Sequence, residues 1–209
     1  MELTEFERDA LTELVNIGVS RAAANLRKMV NDQVILSVPS LEVVPQATAA
    51  AMIREREASE LVAVRQDFTG AFAGRAMLIF PQSTSVHLLH AILGEALDGA
   101  EAEEMEREAL AETGNIILNG CLATMANMLK GPLDMSLPSV VRGQGDELFT
   151  LGDSDAGPTP VLFLYINFSM RNSNIRGYIA MLMNLPSLAA LKVLVNDFIQ
   201  RVMEDDGQE

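Results

Sequence analysis

Apolar positions recur at helical spacing from the start of the chain. Leu3, Phe6, Ala10, Leu14, Ile17 and Ala24 fall mostly on one side of a helix expected over residues 4–30. Asp9, Glu13 and Asn16 form a neighbouring polar stripe on that helix. Thr4 is suited to cap its start, and Asn31-Asp32 to stop it. Residues 34–36 and 41–44 read as short strands around Pro39, and the Ala-rich stretch 46–57 as a short helix. Residues 61–68 alternate as a strand does, and 71–80 give the next strand after a turn at Thr69-Gly70. Pro81-Gln82-Ser83 opens a helix reaching about residue 93, and 94–100 read as a connector.

The same order then recurs. Residues 103–130 read as a second long helix ended by Gly131-Pro132, with strand material around 135–141. The Gly- and Asp-rich stretch 143–157 reads as the most loop-like segment. Residues 161–168 and 175–182 form an expected hairpin around Arg171-Asn172-Ser173-Asn174, and 186–203 a final helix before an acidic tail. Residues echo as well. Gln66-Asp67-Phe68 is matched by Ile166-Asn167-Phe168, Gly74 by Gly177, and Pro81-x-Ser83 by Pro186-Ser187. The expected architecture is α+β: two long site-bearing helices packed with a largely antiparallel sheet of about six strands, related by a pseudo-twofold axis. Residues 1–209 are expected to be a single domain of two repeats, approximately 1–100 and 103–209. Each half alone would leave a sheet face or edge uncovered.

The polar stripe itself is repeated. Asp9-x3-Glu13-x2-Asn16-x22-Pro39 returns 99 residues later as Glu108-x3-Glu112-x2-Asn115-x22-Pro138, with every internal spacing kept. Positions i, i+4 and i+7 lie within about 60° of arc on a helix. A carboxylate can accept a proton, pair with a lysine or bind a metal. An amide is no base, but it donates and accepts hydrogen bonds and can hold a water in line with an electrophile. The bland alternative is a solvated helix face, with Glu7, Asp9, Glu106 and Glu108 compensating the helix dipoles. Full recurrence weighs against it, because Asn inside a helix costs a few tenths of a kcal/mol relative to Ala.

Composition narrows the function classes. With 29 acids against 15 bases, a net charge of -14 and no Trp, the chain lacks the basic and stacking groups that nucleic acids need, and it is repelled by anionic lipid. Its longest apolar runs, such as 161–164 and 179–183, are too short to span a bilayer. The acidic N-terminus has no signal-peptide layout, and Cys121 is the only cysteine, so a cytoplasmic protein without an intramolecular disulfide is expected. There is no HxxxH, CxxC or Walker A pattern, and His87 with His90 is a weak metal signal without a third ligand. Cys121 and most of the twelve Met residues are expected in the core, with Met125, Met128, Met181 and Met183 as the ones able to line a partner surface.

The doubled motif resembles the CheC family of chemotaxis phosphatases, which includes single-site CheX proteins and switch-associated FliY proteins. Thr12-Glu13-Leu14-Val15-Asn16-Ile17-Gly18 and Thr113-Gly114-Asn115-Ile116 stand where that family carries its signature helices, and the resemblance covers essentially the whole chain. It implies a bacterial enzyme that hydrolyses the aspartyl phosphate of a CheY-like response regulator. Asn16 and Asn115 would each enter the regulator's active site and orient the attacking water, while Glu13 and Glu112 contact its lysine. Asp9 and Glu108 would support each face, and Pro39 and Pro138 would shape the loop beneath. Mg2+ would come from the phosphorylated partner, with no cofactor or metal held by this chain. Glu108 departs from the usual Asp or Ser, which implies two sites of unequal activity. The resemblance also offers a CheD-like receptor deamidase as a second partner. The alternative is a non-catalytic adaptor for CheD or a flagellar switch component. A monomer is expected.

Overall fold

The first helix, α1 (Glu5–Val30), is set by a capping box. In the computed structural model Thr4 Oγ1 accepts from the Glu7 backbone N–H at 3.2 Å, and Glu7 Oε2 accepts from the Thr4 N–H at 2.7 Å. The structure describes residues 2–30, 33–57, 59–83, 85, 88, 89, 100–150, 159–170 and 173–206. Strand β1 (Val34–Pro45) runs directly into α2 (Gln46–Arg56), and β2 (Leu61–Gly70) and β3 (Gly74–Pro81) follow as a hairpin. The second long helix is α3 (Ala100–Met128). After it come β4 (Leu133–Met135), β5 (Ser139–Gly143), α4 (Gly145–Thr150), the hairpin β6 (Pro160–Met170) and β7 (Ser173–Met183), and α5 (Leu185–Asp206).

Among the described residues seven strands join in one sheet of order β1-β6-β7-β3-β2-β4, with β5 also paired to β2, and every pairing is antiparallel. Each strand that follows a long helix is added to the hairpin from the other half of the chain: β1 to β6, and β4 and β5 to β2. The registers correspond. Leu36 faces Phe168 and Ser40 faces Tyr165 on one edge; Met135 faces Phe68 and Ser139 faces Arg65 on the other.

Period-two alternation splits the core across the sheet. Val62, Val64 and Phe68 of β2, with Leu162, Leu164 and Ile166 of β6, pack toward α1, α3 and α5. Leu61 and Ala63 with Val161 and Phe163 pack on the opposite face against Ala49 and Ile53 of α2 and Leu148 and Phe149 of α4. Among the described residues, no helix is long and apolar enough to cross a membrane.

Several local expectations are corrected. The two short strands around Pro39 are one strand, Val34–Pro45, whose pairing shifts register between Ser37 and Ser40. A proline lacks the N–H that a ladder needs, so the strand bulges past it rather than ending. Of the expected loop 143–157, Gly143 ends β5 and residues 145–150 form α4, while 151–157 lie outside the described residues. Strand β7 begins at Ser173, inside the expected turn. Gly74 and Gly177 are not equivalent in register: Gly177 faces Ile166, and the residue facing Gln66 is Ala76. Met125, Met181 and Met183 are core residues and line no outer surface, and Cys121 is fully buried. Phe6, expected on the packed side of α1, is 74% exposed. Residues 82, 83, 85, 88 and 89 are helical, whereas His87, His90 and the connector 94–99 lie outside the described residues.

Candidate functional site

The helices α1 and α3 pack against each other where two glycines meet. The Gly18 Cα faces the Gly120 carbonyl, leaving no room for a Cβ on either residue. This close approach holds both polar stripes on one helical layer over the sheet. Asp9 and Glu13 are exposed on α1 and Asn16 is half-buried; Glu108 and Glu112 are exposed on α3 and Asn115 is half-buried. The pattern of exposure is the same in both copies. The carboxylates are free to meet a partner, and each amide has its inner edge in protein and its outer edge toward the surface.

The two amides are anchored differently. Asn16 Oδ1 accepts the Val38 N–H at 2.9 Å, and Asn16 Nδ2 donates to the Val38 carbonyl at 3.0 Å. Val38 has both backbone groups available because it lies in the bulge, next to Pro39, where pairing to β6 is interrupted. The motif's proline thus stands one residue after Val38, the anchor of Asn16. In the second copy the corresponding residue is Leu137, which is 90% exposed and lies in the break between β4 and β5. There the anchors are side chains. Asn115 Oδ1 accepts from Gln66 Nε2 at 3.2 Å and from Asn119 Nδ2 at 2.6 Å, and Gln66 Nε2 also donates to the Ser136 carbonyl at 2.9 Å. Pro39 is exposed and Pro138 half-buried, each at the break in its strand.

Electrostatics beside the stripes are also paired. Glu7 is 3% exposed. Lys192 Nζ of α5 lies 3.2 Å from Glu7 Oε2, and Asn196 Nδ2 donates to Glu7 Oε1 at 2.8 Å. Burial pushes this carboxyl up, but the Thr4 N–H, Asn196 and Lys192 outweigh it and hold its pKa below the ordinary value. At the corresponding position of α3, Glu106 Oε1 is 2.9 Å from Arg142 Nη2 of β5. These acids tie each helix to its support, and they are not the ones presented outward. An apolar groove of about 370 Å³, lined by Phe6, Ala10, Phe198 and Met203, runs beside Asp9 and Glu13.

Among the described residues, no group of three or more His, Cys, Asp or Glu side chains is placed to hold a metal ion. Sequence reasoning missed Val38, Gln66 and Asn119 as site-builders. Gln66 carried a usable signal: on β2 it occupies the same face as Val62, Val64 and Phe68, where an apolar residue is the rule. The buried Glu7 left no comparable trace, because a first-turn acid is ordinarily a solvated one.

Comparison with known proteins matches two family models, each over part of the chain. The family described as chemotaxis phosphatase CheX matches residues 62–155, and the CheC-like family matches residues 6–43. The flagellar motor switch phosphatase FliY of Bacillus subtilis is 27% identical over 141 residues, covering 66% of this chain and 36% of that relative. The chain therefore spans about a third of that relative's length. Among solved structures, Thermotoga maritima FliY superposes with a TM-score of 0.75 at 17% identity, covering 95% of this chain and 100% of that one. A chain of the CheX–CheY–BeF3–Mg2+ complex from Borrelia burgdorferi gives 0.51 at 16% identity, covering 83% of this chain and 99% of that one.

Proposed function

The chain belongs to the CheC/CheX/FliY-type family of chemotaxis phosphatases, and on that premise we propose that it hydrolyses the aspartyl phosphate of a CheY-like response regulator at two pseudo-symmetric sites. The observation that carries this reading is the paired geometry: an exposed Glu one turn before a half-buried, hydrogen-bonded Asn, on each of two packed helices. The corresponding registers at the two sheet edges support one domain built from two repeats.

An acyl phosphate is already activated, so hydrolysis needs a positioned water more than it needs acid–base chemistry. Glu13 or Glu112 docks on the regulator's lysine. The adjacent Asn then enters beside the phosphoryl group and holds a water in line. The water oxygen bonds to phosphorus, the bond from phosphorus to the aspartate oxygen breaks, and the carboxylate and inorganic phosphate leave. Mg2+ belongs to the regulator's own site and offsets charge on the phosphoryl oxygens. Asp9 and Glu108 flank each docking carboxylate.

The test is phosphate loss from a phosphorylated CheY-type regulator of the same source, with wild type, Asn16→Ala, Asn115→Ala and the double variant. Wild type should accelerate hydrolysis, each single variant should keep the activity of its intact site, and the double variant should fall to the regulator's own rate. Acceleration that survives in the double variant would sink the mechanism. A second reading, a binding role at a flagellar switch, is favoured by the FliY relative. On that reading, or for a complex with a CheD-like deamidase, the double variant should bind its partner as wild type does.

A further inference from the structure

The geometry points to Gln66 and Asn119 as positioning residues that fix how Asn115 presents its amide, and so make the second site chemically different from the first. The inference rests on the two-site reading above and concerns only what holds Asn115.

The orientation follows from a backbone group that cannot be flipped. The Ser136 carbonyl can only accept, so the Gln66 NH2 must face it, as it does at 2.9 Å. The same NH2 then points its second hydrogen at Asn115, which must answer with its oxygen, at 3.2 Å. Asn119 Nδ2 supplies a second donor to that oxygen at 2.6 Å. Both lone pairs of Asn115 Oδ1 are therefore used inward. The Nδ2 group faces outward with no hydrogen-bond partner among the described residues, and it offers two N–H donors and no acceptor. Asn16 is different. Val38 takes one lone pair and one N–H, which leaves one acceptor and one donor.

The supporting pair is costly as structure. Gln66 is 1% exposed and its Oε1 accepts no hydrogen bond among the described residues; Asn119 Oδ1 is likewise buried and unpaired. Buried unsatisfied carbonyls cost stability, so a strand position on an apolar face would be better served by an aliphatic side chain. The matching strand position in the other half holds one, Ile166. Gln66 and Asn119 are thus better explained by what they do to Asn115 than by what they add to the fold.

The experiment isolates the second site in an Asn16→Ala background. Phosphate release from the phosphorylated CheY-type regulator is measured for Asn16→Ala with and without Gln66→Leu, and separately with Asn119→Ala. Loss of positioning should lower kcat by about tenfold or more with KM little changed. The same changes in an Asn115→Ala background should not reproduce the drop. Equal losses in both backgrounds, or no loss in either, would overturn the proposal. A second measurement does not depend on hydrolysis. In 1H–15N spectra of the full chain, the side-chain NH2 pair of Asn115 should shift or broaden in Gln66→Leu and in Asn119→Ala, while backbone peaks remote from α3 stay in place. An unmoved Asn115 pair refutes the inference, whatever the activity. Absence of acceleration by wild type refutes the phosphatase reading instead and leaves the NH2 measurement to decide this one.

Discussion

Replacing Gly18 by Ala tests the claim that α1 and α3 meet backbone to backbone. An ideal Cβ on Gly18 would lie 2.6 Å from the Gly120 carbonyl oxygen, 2.8 Å from the Cys121 Cα and 3.1 Å from the Cys121 nitrogen. All three are main-chain atoms of a helix interior, so no side chain can swing away. The helices must separate instead, against Leu14, Val15, Val19, Leu118 and Leu122, all buried in the shared core. Two terms compete. Ala for Gly inside a helix is worth about 1 kcal/mol in favour of the variant. Overpacking costs typically about 1–3 kcal/mol and occasionally more, with rigid backbone neighbours at the upper end. The clash should win, with a net loss of about 1–2 kcal/mol. In a chain of this size that lowers Tm by about 2–8 °C. The assay is urea unfolding followed by circular dichroism, with the midpoint compared at unchanged slope. Gly145→Ala is the control, because its added Cβ meets nothing closer than 3.4 Å. If Gly18→Ala matches or exceeds wild type, the repulsion is absent and the close crossing is wrong.

Two further outcomes are expected. Because the Glu7 carboxyl is held below its ordinary pKa of 4.5, its stabilising contribution is present above that value and is lost as pH falls through the lower folded-state value. Glu7→Gln should therefore be less stable than wild type at neutral pH, and the gap should close as pH falls below about 4.5; a gap that stays constant over acid titration refutes the assignment. Burial pushes the Cys121 thiol up to about 12, so a thiol reagent at pH 8 should label native protein only as fast as it opens. Rapid stoichiometric labelling without denaturant would place Cys121 outside the core.

The helices and their polar stripes were legible in the sequence because their information is local. Periodicity of 3.6 put Asp9, Glu13 and Asn16 in line, and Thr4 read as the cap of α1, although the part of Glu7 in that cap was not read. Strands β2, β3, β6 and β7 were legible from alternation, although Thr69 and Gly70 belong to β2, and Ser173 and Asn174 to β7, rather than to the turns expected there. The bulge at Pro39 was read as a break, because a missing N–H interrupts pairing whether or not the strand continues beyond it. Helix α4 was hidden in a Gly- and Asp-rich stretch whose composition favours turns, and it is held by packing of Leu148 and Phe149 on the far face of the sheet.

By itself the sequence determined that one polar stripe is carried twice, with a carboxylate and an amide at fixed helical spacing, and that acids outnumber bases around it while no apolar run is long enough to span a bilayer. Only the tertiary structure decided what holds each amide. The strand after each long helix is added to the other half's hairpin, a pairing across more than a hundred residues for β1 with β6 that no local pattern encodes. That exchange sets Val38 beneath Asn16 on one edge and Gln66 beneath Asn115 on the other. Motifs of identical spacing thus end in different hydrogen bonds, because an amide's orientation depends on the donors and acceptors that the fold brings to it.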